Sequence, residues 1–372
     1  MKVLIVPDKF KGTLTASEAA QAMATGWRKI RASDEIELLP MSDGGDGFGE
    51  VISPLLDAAI CTTETIDAAH RSRQASWWFS RETQTAIVES AQVIGLALLP
   101  PGRFHPFDLD TFGLGQLLHD AAAAGARKVL CGIGGSATND GGFGLASALG
   151  WNFLSQTGEC IDRWTSLESL GAIEPPVRPL GFEQVTVAVD VQNPLLGPRG
   201  ASRVYGPQKG LRVDDFAQAE ACLARLAAIC EQQLGIRAEE WPGAGAAGGL
   251  GFGLAAFLGA KLEAGFDIFN QLSRFDERIS TVDVVLTGEG AIDESTGMGK
   301  GVGEVARLCA RQGVRCLGLA GRIFVESGKS PQNFARVWGI VPELADAADA
   351  QGEPAFWLER LAAKAASEFE PF

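Results

Sequence analysis

Short runs dense in Val, Ile and Leu recur along the chain, and between them lie longer stretches whose apolar positions repeat at helical spacing. Residues 2–7 (KVLIVP), 36–41 (IELLPM), 85–89 (TAIVE), 127–133 (RKVLCGI), 185–191 (VTVAVDV), 282–287 (VDVVLT), 315–320 (RCLGLA) and 336–341 (RVWGIV) predict strands. Several are apolar throughout, as in strands covered on both faces of a parallel sheet. Helices are predicted over 17–31, with Ser17 as N-cap, and over 113–124, 214–234 and 302–312. This alternation is the signature of an α/β protein. Residues 60–90 break it: TTETIDA, RQASWWFS and TAIVES follow one another without a helix, so an antiparallel or mixed sheet is expected there. The simplest parsing is a parallel-sheet α/β domain formed by 1–57 and 271–372, with a second, mixed α/β domain, 58–270, inserted into it.

Composition narrows the class. A chain of 372 residues is long enough for two domains, and 46% hydrophobic with 21% charged residues excludes a disordered polymer. No apolar stretch approaches the ~18 residues of a membrane span. The net charge of −14 argues against nucleic acid or an anionic membrane as a partner, since each requires a basic face. Seven scattered cysteines without a CxxC pair suggest neither a disulfide framework nor a zinc site. After Lys2 only Val3 to Val6 are apolar before Pro7-Asp8, too short a run for a signal peptide, so a cytoplasmic protein is expected.

Glycine carries the chemical hints. Five windows, 43–49, 132–150, 197–210, 243–253 and 288–303, hold 27 of the 46 glycines. Five segments, 7–20, 42–50, 131–150, 190–210 and 242–262 paired with 286–300, combine glycines with carboxylates or basic residues, and each follows or bounds a predicted strand, where open α/β sheets bind ligands. PDKFKGTLTASEAA (7–20) sets Asp8, Lys9 and Lys11 in a turn before a helix start, which suits an anion or, equally, a capped turn with solvated lysines. SDGGDGFGE (42–50) places Asp43 and Asp46 on a tight turn without the later ligands of a calcium loop; a hydrated Mg²⁺, a substrate hydroxyl and an Asx turn all fit.

In CGIGGSATNDGGFGLASALG (131–150), Gly132, Gly134 and Gly135 let a ligand approach the backbone, and Ser136 and Thr138 offer hydroxyls. A helix from about Gly142 would aim its amide end at this loop. Neither GxGxxG with its later acid nor GxxxxGK[ST] is matched, and six residues separate Gly321 from Gly328-Lys329-Ser330 where a P-loop has four. DVQNPLLGPRGASRVYGPQKG (190–210) reads as a long Gly/Pro-rich loop gathering Asp190, Asn193, Arg199, Arg203 and Lys209, a pattern suited to phosphate or carboxylate recognition. PGAGAAGGLGFGLAAFLGAKL (242–262) begins a helix in which each glycine costs ~1 kcal/mol relative to Ala, so close packing or a ligand has to offset it. LTGEGAIDESTGMGK (286–300) reads as a strand, then a turn with Glu289, Asp293 and Lys300.

His70, His105 and His119 lie outside all of these segments and no GxSxG occurs, which argues against Ser-His-Asp hydrolysis and histidine zinc chemistry. Carboxylates, glycine loops and cations without histidine point to phosphoryl transfer, in which the protein positions reactants, holds Mg²⁺ and neutralises charge while an Asp accepts the hydroxyl proton.

In order and spacing, PDKFKGTLTASEAA, SDGGDG, GIGGSATNDGG, DVQNPLLGPRGASRVYGPQKG, PGAGAAGGLG and TGEGAID resemble the type I glycerate kinases of bacteria, over essentially the whole chain. The resemblance implies ATP-dependent phosphorylation of D-glycerate with Mg²⁺, usually at the 2-hydroxyl to give 2-phosphoglycerate. It implies a flavodoxin-like parallel-sheet domain and an inserted mixed α/β domain, with the active site in the cleft between them. Asp190, at a strand end before a cationic loop, is then the candidate base, with Lys11, Asp43 and Asp293 also catalytic. Asp8, Asn193, Arg199, Arg203 and Lys209 would bind the substrate. Gly134, Gly135, Ser136, Thr138, Asn139, Gly288, Glu289 and Lys300 would bind the nucleotide, and Asp43, Asp46 and Asp293 the metal. The partners would be glycerate and ATP, with monomer and homodimer both open.

The chain departs from the family pattern at Ala291, which replaces a basic residue, at Ser295, at Gly301-Val302-Gly303, and in the run Glu89-Ser90-Ala91-Gln92-Val93-Ile94-Gly95-Leu96. A kinase for another small hydroxy acid, such as tartronate or a sugar acid, and a metabolite-binding protein without turnover fit the same residues.

Overall fold

The computed structural model describes residues 1–293, 296, 301–324 and 332–370. Lys300 and Ser295 lie outside the described residues, as does Gly328-Lys329-Ser330. In chain order the strands are β1 (Lys2–Pro7), β2 (Glu35–Leu38), β3 (Ala59–Ile66), β4 (Ser72–Ser80), β5 (Thr85–Glu89), β6 (Lys128–Gly132), β7 (Asn152–Ser155), β8 (Leu170–Glu174), β9 (Gln184–Val189), β10 (Lys261–Ala264), β11 (Val284–Asp293), β12 (Arg315–Phe324) and β13 (Arg336–Val341). Contacts divide the chain into two units, residues 1–43 with 266–372, and residues 44–265. The first boundary therefore falls inside the SDGGDG motif, whereas the sequence parsing put it after residue 57. Residues 48–56 go with the second unit because they pack on its sheet: a Cβ on Gly49 would lie 1.8 Å from the Trp78 ring of β4.

The first unit is built on a five-stranded sheet in the order β13-β12-β11-β1-β2, parallel throughout. Numbered within the unit and read from the β2 edge, that order is 2-1-3-4-5, the flavodoxin arrangement, with the insertion entering after the second strand. Val3, Ile5, Val284, Leu286, Leu317 and Leu319 pack with Met23 and Trp27 of helix Ala16–Ile30 and with Leu358, Leu361 and Ala365 of helix Pro354–Glu368. Gly26 allows the two helices to touch, since a Cβ there would lie 2.0 Å from the Glu359 carbonyl oxygen.

Helix Ala16–Ile30 is capped by Thr15, not Ser17. The Thr15 hydroxyl accepts from Glu18 N at 3.1 Å and Glu18 Oε2 accepts from Thr15 N at 2.8 Å. This capping box takes up the amides of Thr15 and Glu18 at the helix start that follows Lys9 and Lys11.

The second unit holds a six-stranded sheet, β10-β9-β6-β5-β4-β3, in which β10, β9, β6 and β5 are parallel and β4 and β3 antiparallel, as the helix-free run 60–90 anticipates. Val88, Val129 and Val187 pack with Leu114, Leu117 and Leu118 of helix Phe112–Ala123. A second cluster joins Phe153, Leu170 and Ile173 of the β7-β8 hairpin to Leu223 and Leu226 of helix Phe216–Leu234. Helix Ala246–Leu258 is apolar on every side and enters both clusters, Leu250 and Leu254 facing one and Phe252 and Phe257 the other. Strands β7, β8 and β10 escape the sequence reading because they are only four or five residues long and half exposed. No helix among the described residues is long and apolar enough to cross a membrane.

Candidate active site

In the first unit the switch point of the sheet lies between β1 and β11, where the crossovers leave in opposite directions and a crevice opens at the strand ends. Asp8 follows β1 directly and is buried; its amide donates to the Gly288 carbonyl at 2.9 Å. TGEGAID is not a turn, as read from sequence, but the last part of β11, because β12 continues beside it in register as far as Asp293 and Phe324. Glu289, Ala291 and Asp293 therefore share one face of a strand at period two.

Burial pushes Glu289 up to about 8; the Thr296 hydroxyl opposes this, and the negative charges of Asp8, Asp293 and Asp43 add to it. Thr296, which the sequence reading passes over, ties the pair together: its Oγ1 donates to Glu289 Oε1 at 3.0 Å and accepts from Asp293 N at 3.2 Å. Ala291 is registered against Arg322 of β12, which places a guanidinium-bearing residue beside the carboxylate face where the family's basic residue is missing. Lys11 is exposed in the turn after Asp8, and its amide lies 3.3 Å from where a Cβ on Gly290 would be. Gly288 is packed rather than open, since a Cβ there would lie 2.0 Å from the Leu319 carbonyl oxygen.

Among the described residues no three His, Cys, Asp or Glu side chains form a metal-holding group. Mg²⁺ keeps most of its waters and takes one or two protein carboxylates besides phosphate oxygens, so the oxygen donors of Asp43 and Asp293, whose negative charges add to the effect of burial on Glu289, suit that ion.

In the second unit the loops after β6 and β9 and the run 243–253 interlock backbone to backbone. A Cβ on Gly248 would lie 1.9 Å from the Thr138 carbonyl oxygen, one on Gly253 2.6 Å from that of Gly141, and one on Gly245 2.1 Å from that of Pro194. Ala247, Gly248 and Gly249 all have positive φ, so the helical turn predicted here is broken at its start and the regular helix begins after them. The glycines of 44–47 and 132–135 likewise meet each other: Gly134 N donates to the Gly44 carbonyl at 3.1 Å, and a Cβ on Gly135 would lie 2.2 Å from Asp46 Oδ1.

Asp140 takes up the amides that the sequence reading offered to a ligand. It is fully buried and accepts from Gly144 N at 2.9 Å, from Gly142 N at 3.3 Å, and from Thr111 through N at 2.9 Å and Oγ1 at 2.7 Å. Burial raises its carboxyl to about 6.

Residues 201–209 form a helix, not a loop, with Gly210 ending it at positive φ. Its buried face carries Ser202, Gly206 and Lys209, and it is pinned to the 136–139 loop at both ends. Asn139 Nδ2 donates to Ser202 Oγ at 3.0 Å, and Lys209 Nζ donates to Ser136 Oγ at 3.0 Å and to the Thr138 carbonyl at 2.7 Å. Burial lowers the Lys209 ammonium to about 7, with Asp140 opposing. Beside it, Thr138 Oγ1 and Asn139 Oδ1 are buried without a hydrogen-bond partner among the described residues.

Arg203 is on the exposed face, 5.6 Å above the Phe216 ring, and Arg199 is exposed in the preceding loop. Asp190 directly follows β9 and is half-buried. Tyr205, the only tyrosine of the chain, donates to Asn193 Oδ1 at 2.7 Å, and its hydroxyl is raised by burial and by the Asp190 charge. The sequence reading passed over Tyr205 and Ser202 because it took their segment for a loop. The helical spacing of 202, 206 and 209 was the available signal.

A model of the glycerate kinase family matches residues 3–370. A glycerate kinase of Halalkalibacterium halodurans is 39% identical over 324 residues, 86% of this chain and 85% of the relative. The glycerate 2-kinase of Escherichia coli is 36% identical over 331 residues, 88% and 87%. A crystal structure of a provisionally assigned glycerate kinase 2 from Salmonella typhimurium LT2 superposes with a TM-score of 0.83 at 31% identity, covering 99% of this chain and 97% of the other.

Proposed function

The chain belongs to the glycerate kinase family and is a kinase, and from that premise we propose that it transfers the terminal phosphoryl group of ATP to the 2-hydroxyl of D-glycerate. The products are 2-phosphoglycerate and ADP. The observation that carries the assignment of the phosphate end is the Lys209 ammonium seated in the 136–138 loop, beside the unpartnered Thr138 hydroxyl. A buried cation next to hydroxyl groups is what a transferring phosphoryl group requires.

The amides of Gly135, Ser136, Thr138 and Asn139 receive the nucleotide phosphates, Gly134, whose N–H is taken by the Gly44 carbonyl, shapes their turn, and Lys209 neutralises the group in transit. Asp190 takes the proton of the acceptor hydroxyl as that oxygen bonds to the γ-phosphorus, and the bond from phosphorus to the bridging oxygen breaks with its electron pair leaving on ADP. Asn193, tied to Tyr205, orients the acceptor, and Arg199, Arg203 and Asp8 contribute to glycerate binding. Lys11 and Glu289 serve from the first unit, with Lys300 among the nucleotide contacts, while Gly288 is taken up by packing against β12. One or two of the carboxylates of Asp43, Asp46 and Asp293 would hold Mg²⁺, which would shield the phosphate charge. The seven cysteines are all free, which supports a cytoplasmic location.

The test is glycerate-dependent release of ADP from ATP and Mg²⁺, followed by phosphorus NMR of the product. Release only with tartronate or a sugar acid assigns another acceptor, and saturable binding without release makes the chain a metabolite-binding protein. Asp190→Asn is expected to lower kcat by ~10²–10⁴-fold with little change in folding. Near-normal turnover in that variant removes Asp190 as the base.

A further inference from the structure

Segment 89–96 belongs to none of the site residues above, yet it touches both loops that carry them. Glu89, the last residue of β5, is buried, and its two carboxylate oxygens accept separately from the end of the SDGGDG loop and from the short helix Phe48–Ile52 that follows it: Oε1 from Gly47 N at 3.1 Å and Oε2 from Gly49 N at 3.2 Å. The next residues run along the other loop. Ser90 N donates to the Gly132 carbonyl at 2.9 Å, Leu96 N to that of Gly135 at 2.8 Å, and Ala137 N returns a bond to the Ile94 carbonyl at 2.8 Å. Gly95 and Ser136 form an isolated antiparallel bridge. One eight-residue segment thus sets the 44–49 turn by a side chain and the 132–137 turn by its backbone. Between the two turns stands Asp46, whose Oδ1 occupies the space a Cβ on Gly135 would need.

We infer that Glu89 is a positioning residue of the transfer reaction, acting through the amides of Gly47 and Gly49 to fix Asp46 relative to the 134–139 loop. The inference rests on the reaction proposed above. A carboxylate is required because both bonds come from N–H donors, and an amide side chain offers one acceptor oxygen and turns a second donor toward a donor.

The experiment is a double-mutant cycle on the full-length chain with Asp46→Asn and Glu89→Gln, reading kcat/KM for glycerate and the Mg²⁺ concentration for half-maximal rate. Each single variant is expected to lower kcat/KM by about tenfold or more and to raise the Mg²⁺ requirement, while Glu89→Gln in the Asp46→Asn background lowers it by less than about twofold further. A merely structural Glu89 would weaken both backgrounds equally. Additive losses, an unchanged Mg²⁺ requirement, or an Asp46→Asn variant with full activity overturns the inference alone. Absence of glycerate-dependent turnover by the unmodified chain overturns the proposed function and this inference together. Should Glu89→Gln not fold, Glu89→Asp, which keeps the charge but shortens the reach, carries the same cycle.

Discussion

The two units bring functional groups to their strand ends by opposite means. In the first, side chains carry the arrangement: Glu289 and Asp293 project from one face of β11, Asp8 and Asp43 bring further negative charge, and Thr296 bridges two of the acids. In the second, the backbone carries it: three glycine-bearing runs pass within van der Waals distance of one another, and the side chains that matter, Asp140, Glu89 and Lys209, mostly bind main-chain groups. A side-chain site tolerates a substitution at the cost of chemistry. A backbone site of this kind tolerates almost no added volume, because each neighbour is itself fixed by hydrogen bonds.

The sharpest way to break that contrast is to add one methyl group. Gly248→Ala puts a Cβ 1.9 Å from the Thr138 carbonyl oxygen at a φ of +72°. A cost of about 3 kcal/mol or more is expected, enough to move the second unit's denaturant midpoint visibly. A variant with an unchanged midpoint would mean that the glycine runs are not packed as tightly as the distances say.

Next in size is Lys209→Met, which keeps much of the side-chain volume and removes the cation. It is expected to lower kcat/KM by about 30-fold, or about 2 kcal/mol, and to leave a second signature in pH. Burial lowers the Lys209 ammonium to about 7, so in the free protein its charge is lost as pH rises above that value. Binding an anion beside it then requires taking a proton back. Nucleotide affinity should weaken as pH rises from about 7 to 9, by at most about tenfold per pH unit, and the Met variant should lack that slope. A wild-type affinity flat across this range would remove Lys209 from contact with the phosphates.

Asp140 gives a smaller effect that bears on folding alone. Its folded value of about 6 lies above the ordinary value of an unfolded Asp, so the folded state holds the proton more tightly. The cost of burying its charge is fully present above about pH 6 and is relieved as pH falls from about 6 to 4, by roughly 2 kcal/mol. Comparing unfolding free energies of wild type and Asp140→Asn over that range isolates the contribution. Identical pH profiles would show that the four donors around Asp140 already hold it at an ordinary value.

Legibility in the sequence follows the same division. Strands such as β1, β5, β6 and β13 are readable because their middle residues are mostly buried on both faces and therefore apolar, with polar residues only at the ends. Chemistry carried by side chains was readable by residue type: the acids of TGEGAID were picked out, although the strand was expected to end before them. What a glycine is for was not readable. Gly132, Gly134 and Gly135 look alike whether a ligand or another turn approaches them, and here the other turn does. Helix Ala201–Lys209 was missed because Pro207 and Gly206 read as loop residues. Only long-range partners, Ser136 and Asn139 about 70 residues away in sequence, reveal which face of it is buried.

Gly12→Ala is the control that separates conformational strain from crowding, and it has the smallest effect. Gly12 lies in the turn between Asp8 and helix Ala16–Ile30 with a φ of +79°, a backbone state as unusual for a side chain as that of Gly248, yet nothing lies within 4 Å of an added Cβ. Alanine there bears the left-handed penalty alone, about 1 kcal/mol. Its cost, read from the first unit's denaturant midpoint, should thus be about a third of that of Gly248→Ala. The turn also carries Lys11, so a loss of kcat/KM larger than the loss of stability would indicate that this turn's shape, and not only its charge, serves the reaction. Equal costs at Gly12 and Gly248 would mean that left-handed strain accounts for both glycines. The difference between a side-chain-built and a backbone-built half would then reduce to residue composition.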